Sequence, residues 1–380
     1  MRFDVFMPLL AGCLLRGSLT AMALGPSVNE PVGHLFQSHG SFQPKANLSM
    51  RALITGGAGF IGSHLSDRLL DSGCRVTAVD DLSTGRLANI AHLEGSPGFQ
   101  FVHESIMHEA VMDRLVSDCD VIYHLASAVG VELIVNRPVE VIERCILGSE
   151  IVLRTAHRYK RKVLLTSTSE IYGKNSCVPF AEDDDRLLGP TTRSRWSYSC
   201  SKAIDEFLAL AYHKEKQLPV VIVRLFNTVG PRQTGQYGMV VPRFVQQALA
   251  GEPITVYGDG TQQRCFGYVG DVVGALVRLM EHPGAVGRIF NIGSTEEVSV
   301  LELAHRVIRL TNSPSVIKMV PYDLAYEAGF EDMARRIPDT SRVSALIGYA
   351  PTVSLDESIT RIADHLRESA PAEQQAMPIS

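Results

Sequence analysis

The chain has 380 residues, 45% of them hydrophobic and 20% charged, enough to bury a substantial core as one large domain or two closely joined ones. Its formal net charge of -5 carries no electrostatic footprint for nucleic acid, and no block of like charge forms a binding tail. Any anionic ligand therefore has to be held locally.

Residues 1–49 stand apart from the rest. An apolar run over 5–15 is followed by Arg16 and by a stretch rich in Gly, Pro, Ser and Asn. The run and Ala21-Met-Ala23 have the shape of a secretory leader and its cleavage site, although Asp4 is wrong for the leading region. The alternative is an extension from an upstream start, with the core beginning at Met50. The run is too short to span a bilayer, and no later run is long enough, so no membrane partner is expected. The seven cysteines are scattered and odd in number, with no C-x-x-C pair and no metal-ligand spacing. A reducing compartment without a bound metal fits this usage, and Cys200 reads as a small packing residue.

From residue 51 onward, apolar runs over 51–55, 75–79, 99–103, 121–125, 163–166 and 220–225 alternate with helical patterns over 61–71, 139–159 and 197–216. Continuous Val/Ile/Leu runs separated by helices predict an α/β fold, a doubly wound parallel sheet of Rossmann type covered on both faces. After about residue 225 the pattern loosens, with turns at Gly230-Pro231, Gly258-Asp259-Gly260 and Pro338-Asp339. The expected division is a nucleotide-binding domain over 50–226 and a smaller C-terminal substrate lobe over 227–370. Some segments of the lobe return to the first domain, and 371–380 form a tail. The runs over 272–280 and 301–310 repeat at helical spacing and read as core faces.

The first strand runs into Gly56-x-x-Gly59-x-x-Gly62, which in turn opens a helix. Glycines there permit a tight turn and close approach of the backbone to a pyrophosphate, while the helix N-terminus presents N–H donors and partial positive charge. Phe60 and Ile61, between the last two glycines, join Gly56, Gly59 and Gly62 as candidate cofactor contacts. Asp80 ends the next strand, about 20 residues on, where an acid accepts hydrogen bonds from an adenosine ribose. Its charge would repel a 2'-phosphate, so the expected cofactor is NAD. Arg86 either reaches a phosphate or is a solvated loop cation, and Asp81 is the weaker ribose candidate.

Tyr198 and Lys202 stand four residues apart on a predicted helix and share a face. A phenol is too weak an acid to work as a base at neutral pH, but a neighbouring cation favours its ionised form. Beside a nicotinamide, Tyr198 becomes a candidate proton carrier.

With these pieces, and with Thr166-Ser-Thr-Ser-Glu-Ile-Tyr-Gly173, His124-Leu-Ala-Ser127, Arg224-Leu-Phe-Asn-Thr-Val-Gly-Pro-Arg232 and Val256-Tyr-Gly-Asp-Gly-Thr-Gln-Gln-Arg264, the chain resembles the extended short-chain dehydrogenase/reductase family. The likeness covers about residues 51 to 367 and is strongest for enzymes that alter nucleotide-activated sugars. The resemblance implies that Tyr198 takes a proton from the sugar C4 hydroxyl while hydride passes from C4 to NAD. It implies that Lys202 holds the nicotinamide ribose and that Thr168 hydrogen-bonds the same hydroxyl. Asn227, Arg264 and Arg336 match positions that grip the nucleotide diphosphate, and Tyr257 one that packs on the base. A homodimer through two helices and a cytoplasmic location, where NAD is abundant, belong to the same expectation.

The segment after Thr168 bears on which reaction follows oxidation. Ser169 and Glu170 stand where 4-epimerases carry small or apolar residues, and the Thr-Ser-Glu triplet is similar to UDP-glucuronate decarboxylases and to nucleotide-sugar dehydratases. Arg195-Trp-Ser-Tyr198 and Gln263-Arg264-Cys-Phe266 also look like bacterial decarboxylases of UDP-glucuronate. The expected activity is decarboxylation of UDP-glucuronate to UDP-xylose or its 4-keto precursor, with Ser169 and Glu170 assisting. The alternatives are a UDP-glucose or UDP-glucuronate 4-epimerase, a 4,6-dehydratase, and a non-catalytic NAD-binding regulatory protein; Glu170 also has a purely structural reading. Ser105 stands where the family often has an aspartate near adenine, and Cys145 replaces a frequent asparagine. Residues 126–131 lack the Pro-rich loop of the eukaryotic decarboxylases.

Overall fold

Apolar runs without polar alternation need cover on both faces. The computed structural model, which describes residues 50–127, 130–235, 239–325 and 333–375, provides it with a parallel sheet between two helical layers. The expectations for residues 1–49 lie outside the described residues. The strands are β1 (Arg51–Thr55), β2 (Arg75–Asp80), β3 (Phe99–His103), β4 (Val121–His124), β5 (Lys162–Thr168), β6 (Val220–Leu225) and β7 (Arg288–Ile292). They lie in the order β7-β6-β5-β4-β1-β2-β3, with every neighbouring pair parallel. The chain winds outward from β1 to β3, then crosses back to β4 on the other side of β1. A crevice opens outside the C-terminal ends of β1 and β4, the switch point at which such sheets bind ligands.

Successive strand residues point to opposite faces and feed two separate cores. On one face Ile54, Leu164 and Val221 pack with Leu65 and Leu69 of α1 (Phe60–Asp71) and with Val272, Leu276 and Leu279 of a helix over Val269–Glu281. On the other, Leu53, Leu165 and Ile222 pack with Met112 of a helix over Glu109–Ser117, Val152 and Ala156 of α2 (Pro138–Tyr159), and Ala209 of α3 (Ser197–Lys216). Each of these buried aliphatic side chains larger than alanine contributes about 1.5–3 kcal/mol relative to exposure.

Two differences from the sequence reading matter for the site. Strand β5 continues past its apolar run to Thr168, because Thr166, Ser167 and Thr168 pair with Val223, Arg224 and Leu225 of β6. The pairing carries Thr168 to the ligand edge of the sheet. Strand β7 was not anticipated: its five residues lie between Gly287 and Gly293 in a loosely patterned region, and periodicity cannot say which sheet a short run joins.

The remaining elements build a smaller cluster. Strands Glu297–Ser299, Gln263–Cys265 and Arg335–Arg336 form one sheet, while Ile254–Tyr257 pairs with Ile317–Val320. Helices over Val240–Leu249, Val300–Thr311 and Leu355–Gln375 enclose a core that includes Phe244, Leu303, Val307 and Ile359. The last helix runs into the stretch read as a tail.

The turn from β1 into α1 is closed by contact between backbones. Gly56 has φ +72°, and a side chain at Gly62 would start 2.2 Å from the Gly56 carbonyl oxygen and 2.9 Å from the Gly57 Cα. Only backbone lies in that space, so α1 itself would have to move. Gly62→Ala is expected to cost about 1–3 kcal/mol, the usual price of overpacking, read as a lower urea midpoint. An unchanged midpoint would mean that α1 can shift freely on β1.

Candidate active site

A cavity of about 480 Å³ lies along the C-terminal edge of the sheet. The glycine turn, Phe60, Ile61, Asp80 and Arg86 line one end, and Thr168, Ser169, Glu170 and Tyr198 line the middle. Asn227, Tyr257, Arg264 and Arg336 line the other end. Of the catalytic, cofactor and substrate candidates read from sequence, Lys202 is absent from the lining.

At the first end, Asp80 is buried at the close of β2. Its Oδ2 accepts from Ala58 N at 3.0 Å and its Oδ1 from Leu82 N at 2.8 Å. Burial pushes its pKa up, and those two N–H groups pull it down, with a net rise. Two backbone donors leave lone pairs free on both oxygens for ribose hydroxyls. Asp81 is tied instead to Arg144 of α2, whose guanidinium also bonds Ser83. The first turn of α1 contains no acidic residue, so its N–H groups and positive dipole end stay available to an anion. A tight glycine turn, an acid on the second strand and an uncompensated helix start fit a dinucleotide.

In the middle, Thr168 ends β5 and Tyr198 opens α3 with 5% exposure. The Thr168 hydroxyl accepts from Glu170 N at 3.2 Å, and Ser199 Oγ donates to the Glu170 carbonyl at 2.9 Å, clamping the turn after β5 onto α3. Burial pushes the Tyr198 phenol above its ordinary range; Lys202 opposes this, while Cys145 and Glu170 add to it. The Lys202 ammonium is buried and donates to Asp205 Oδ2 at 2.9 Å. Cys200, expected to pack, is exposed: two residues beyond Tyr198 is more than half a turn around the helix, so it faces away from the site.

Glu170 is the centre of the third group. Arg195 grips it with both terminal nitrogens, one at 3.0 Å from Oε1, and Arg336 approaches Oε1 at 3.4 Å. Burial alone would raise the Glu170 carboxyl, but the two guanidiniums outweigh it and hold the pKa below the usual range. Arg336 also donates to Asn227 Oδ1 at 2.7 Å, and Asn227 donates to the Cys265 carbonyl at 3.0 Å. Arg336 thus links Glu170 to Asn227. Arg264, opposite Arg336 in the strand register, bonds the Gln263 carbonyl at 2.9 Å, and the Arg243 guanidinium lies 4.1 Å from the Tyr257 ring centroid. Sequence reasoning quoted Arg195 within a motif but gave it no role. Its partner lies 25 positions away, and only its place three residues before Tyr198 hinted at the site.

The fold and cavity define a dinucleotide-binding enzyme of the doubly wound class with a buried tyrosine in the cavity wall. Residues 52–293 match the model of the NAD dependent epimerase/dehydratase family, and the chain belongs to that family, whose cofactor is NAD. It is 42% identical over 322 residues to the UDP-N-acetyl-alpha-D-glucosaminuronate decarboxylase of Bacillus cytotoxicus, covering 84% of this chain and 99% of that one. It is 38% identical to UDP-glucuronic acid decarboxylase 1 of Danio rerio, covering 82% of this chain and 71% of the relative. Among solved structures it is similar to the UDP-glucuronic acid 4-epimerase of Bacillus cereus in complex with UDP-glucuronic acid and NAD, with TM-score 0.76 and 30% identity over 84% of this chain and 99% of the other.

Arg195→Met removes the principal counter-charge of a largely buried carboxylate. The expected loss is about 3–5 kcal/mol, measured by urea unfolding. A loss within experimental error would mean that Arg336 alone suffices to hold Glu170.

Proposed function

We propose that the chain is an NAD-dependent decarboxylase of a UDP-linked uronic acid, UDP-glucuronate in the first reading, giving UDP-xylose or its 4-keto precursor. The observation that carries this reading is the placement of Arg195 and Arg336 together in the cavity wall that also holds Thr168 and Tyr198. Both guanidiniums approach the Glu170 carboxylate on a mostly buried stretch of cavity wall. Guanidinium donors of this kind recognise a carboxylate such as that of a uronate, which a neutral hexose lacks. The names of relatives at 36% to 42% identity support the same reaction class.

Bound NAD supplies the hydride acceptor for sugar C4 and can return the hydride at the end. Tyr198 takes the proton of the C4 hydroxyl, and Thr168 orients that hydroxyl from the end of β5. Once C4 is a ketone, the C5 carboxylate belongs to a β-keto acid. The C5–C6 bond breaks, carbon dioxide leaves, and its electron pair stays on the sugar as an enolate that is later protonated at C5. Glu170, kept charged, orients the two guanidiniums toward that developing charge, with Ser169 beside it. Residues 50–226 serve the cofactor and 227–370 mainly the nucleotide sugar, with Arg264 and Tyr257 on the nucleotide side.

A second substrate, UDP-N-acetylglucosaminuronate, is favoured by the 42% identity to an enzyme named for it across 99% of that enzyme's length. The full chain with NAD is expected to release carbon dioxide from one or both uronates and none from UDP-glucose. Inversion at C4 without carbon loss would turn the reading to an epimerase. Tyr198→Phe is expected to lower turnover about 10²–10⁴-fold with NAD binding retained; wild-type turnover in that variant would remove Tyr198 from the chemistry.

The proposal includes a cytoplasmic homodimer. Among the described residues no helix is long and apolar enough to cross a membrane, and the cytoplasmic placement rests on the supply of NAD. Helices α2 and α3 pack side by side and leave Val139, Ile142, Leu147, Ile204 and Phe207 exposed, Phe207 by 69%. Exposed apolar side chains on two neighbouring helices suit an association surface. Phe207→Asp is expected to yield a monomer by sedimentation equilibrium. An unchanged assembly state would place any interface elsewhere.

A further inference from the structure

Tyr198, Lys202 and Asp205 follow one another on α3 at intervals of four and three residues, so all three share a helix face. Lys202 is 2% exposed and Asp205 has no exposed surface, and their charged atoms meet at 2.9 Å. The other acid one turn beyond Lys202 is Glu206, which is engaged by Arg224 of β6 through both carboxylate oxygens at 2.9 and 2.8 Å. Among the described residues, the basic side chain paired with Asp205 is Lys202.

Two other elements brace the pair. Ser149 of α2 faces the Asp205 carboxylate and lies 3.1 Å from Nε2 of His124, whose Nδ1 is 2.8 Å from the Thr55 hydroxyl. His124, on β4, adds no charge, since burial and the nearby Lys202 lower its pKa to about 3. Cys145 of α2 and Glu170 of the turn after β5 also face Tyr198. The ammonium is thus anchored behind the cavity wall, while Tyr198 reaches the cavity itself.

We infer that Asp205 is a positioning residue for Lys202: its buried carboxylate fixes where the ammonium sits and offsets the pull of that cation on the Tyr198 phenol. The inference rests on the reading of Tyr198 as the base. An ammonium has three donors. One is held by Asp205, which leaves two for ribose hydroxyls and gives the lysine a fixed reach. A lysine without this counter-charge would make the tyrosine a stronger acid, because a nearby cation favours the phenolate and a nearby anion opposes it.

Asp205→Asn keeps the size of the side chain and an acceptor for Lys202 while removing the charge. With NAD bound, the tyrosinate absorbance of each protein is titrated against its own Tyr198→Phe counterpart, so that the difference reports Tyr198. The midpoint is expected to move to lower pH by about one unit in Asp205→Asn. An unmoved midpoint, even with a lowered melting temperature, would leave Asp205 a structural ion pair and overturn the inference. A crystal structure of the wild-type protein with NAD gives an independent reading that does not depend on the variant folding. The Lys202 ammonium must remain hydrogen-bonded to Asp205 when the ribose is bound, and its departure would overturn the inference. If Tyr198→Phe keeps full turnover, the base assignment itself fails; if turnover is lost and the midpoint stays, only the role of Asp205 fails.

Discussion

Arg224 is a full positive charge inside the protein, and the geometry of the site depends on how that charge is satisfied. Its guanidinium bonds both oxygens of Glu206 on α3, the Tyr172 hydroxyl after β5 at 2.9 Å, and the Glu182 carbonyl at 2.8 Å. The Tyr172 hydroxyl donates in turn to Asn291 of β7 at 2.8 Å. One side chain on β6 thereby joins the helix that carries Tyr198, the turn that carries Glu170 and the edge strand of the sheet. Breaking a buried pair by removing one partner costs far more than the pair itself contributes, because the other charge is left stranded. The arrangement has little freedom to slip, which is what keeps Thr168, Glu170 and Tyr198 in register.

The same constraint applies twice more beside α3, once within the helix and once across 25 residues of sequence. Lys202 is matched by Asp205 one turn on, and Glu170 is matched by Arg195 in the turn that leads into the helix. A cavity edged by matched pairs can hold charges of either sign without collapsing its polarity. Its two ends differ all the same. One offers backbone donors and the Asp80 carboxylate, whereas the other gathers Arg264 and Arg336.

What could be read from sequence follows the distance between partners. The glycine turn, Asp80 and the Tyr198/Lys202 pair are close in sequence, and the backbone geometry that relates their members is regular. Helix and strand periods therefore carried them, along with six of the seven strands of the sheet. Arg195 and Glu170 are 25 residues apart and Arg336 and Glu170 are 166 apart, so their meeting depends on how strands pair, which no local period encodes. Strand β7 was hidden for the same reason. Lys202 is a different case: the helix face was legible, but spacing cannot say which of two neighbouring acids captures a cation. The answer depended on Arg224 having taken Glu206.

This division bears on how one family supports several reactions. On the proposed function, oxidation at C4 needs only a base, an orienting hydroxyl and a cofactor, and Thr168 and Tyr198 sit on a sheet end and a helix start. The fate of the ketone is decided elsewhere, by groups that meet the rest of the sugar. Arg336 reaches Glu170 from a two-residue strand of the smaller cluster, paired with Gln263–Cys265. A change in that cluster can remove or add one charge beside the sugar while leaving Tyr198, Lys202 and Asp205 untouched. On the proposed function, the guanidiniums at Glu170, rather than the tyrosine and lysine that mark the family, are where a decarboxylase of this fold parts from an epimerase of a neutral sugar.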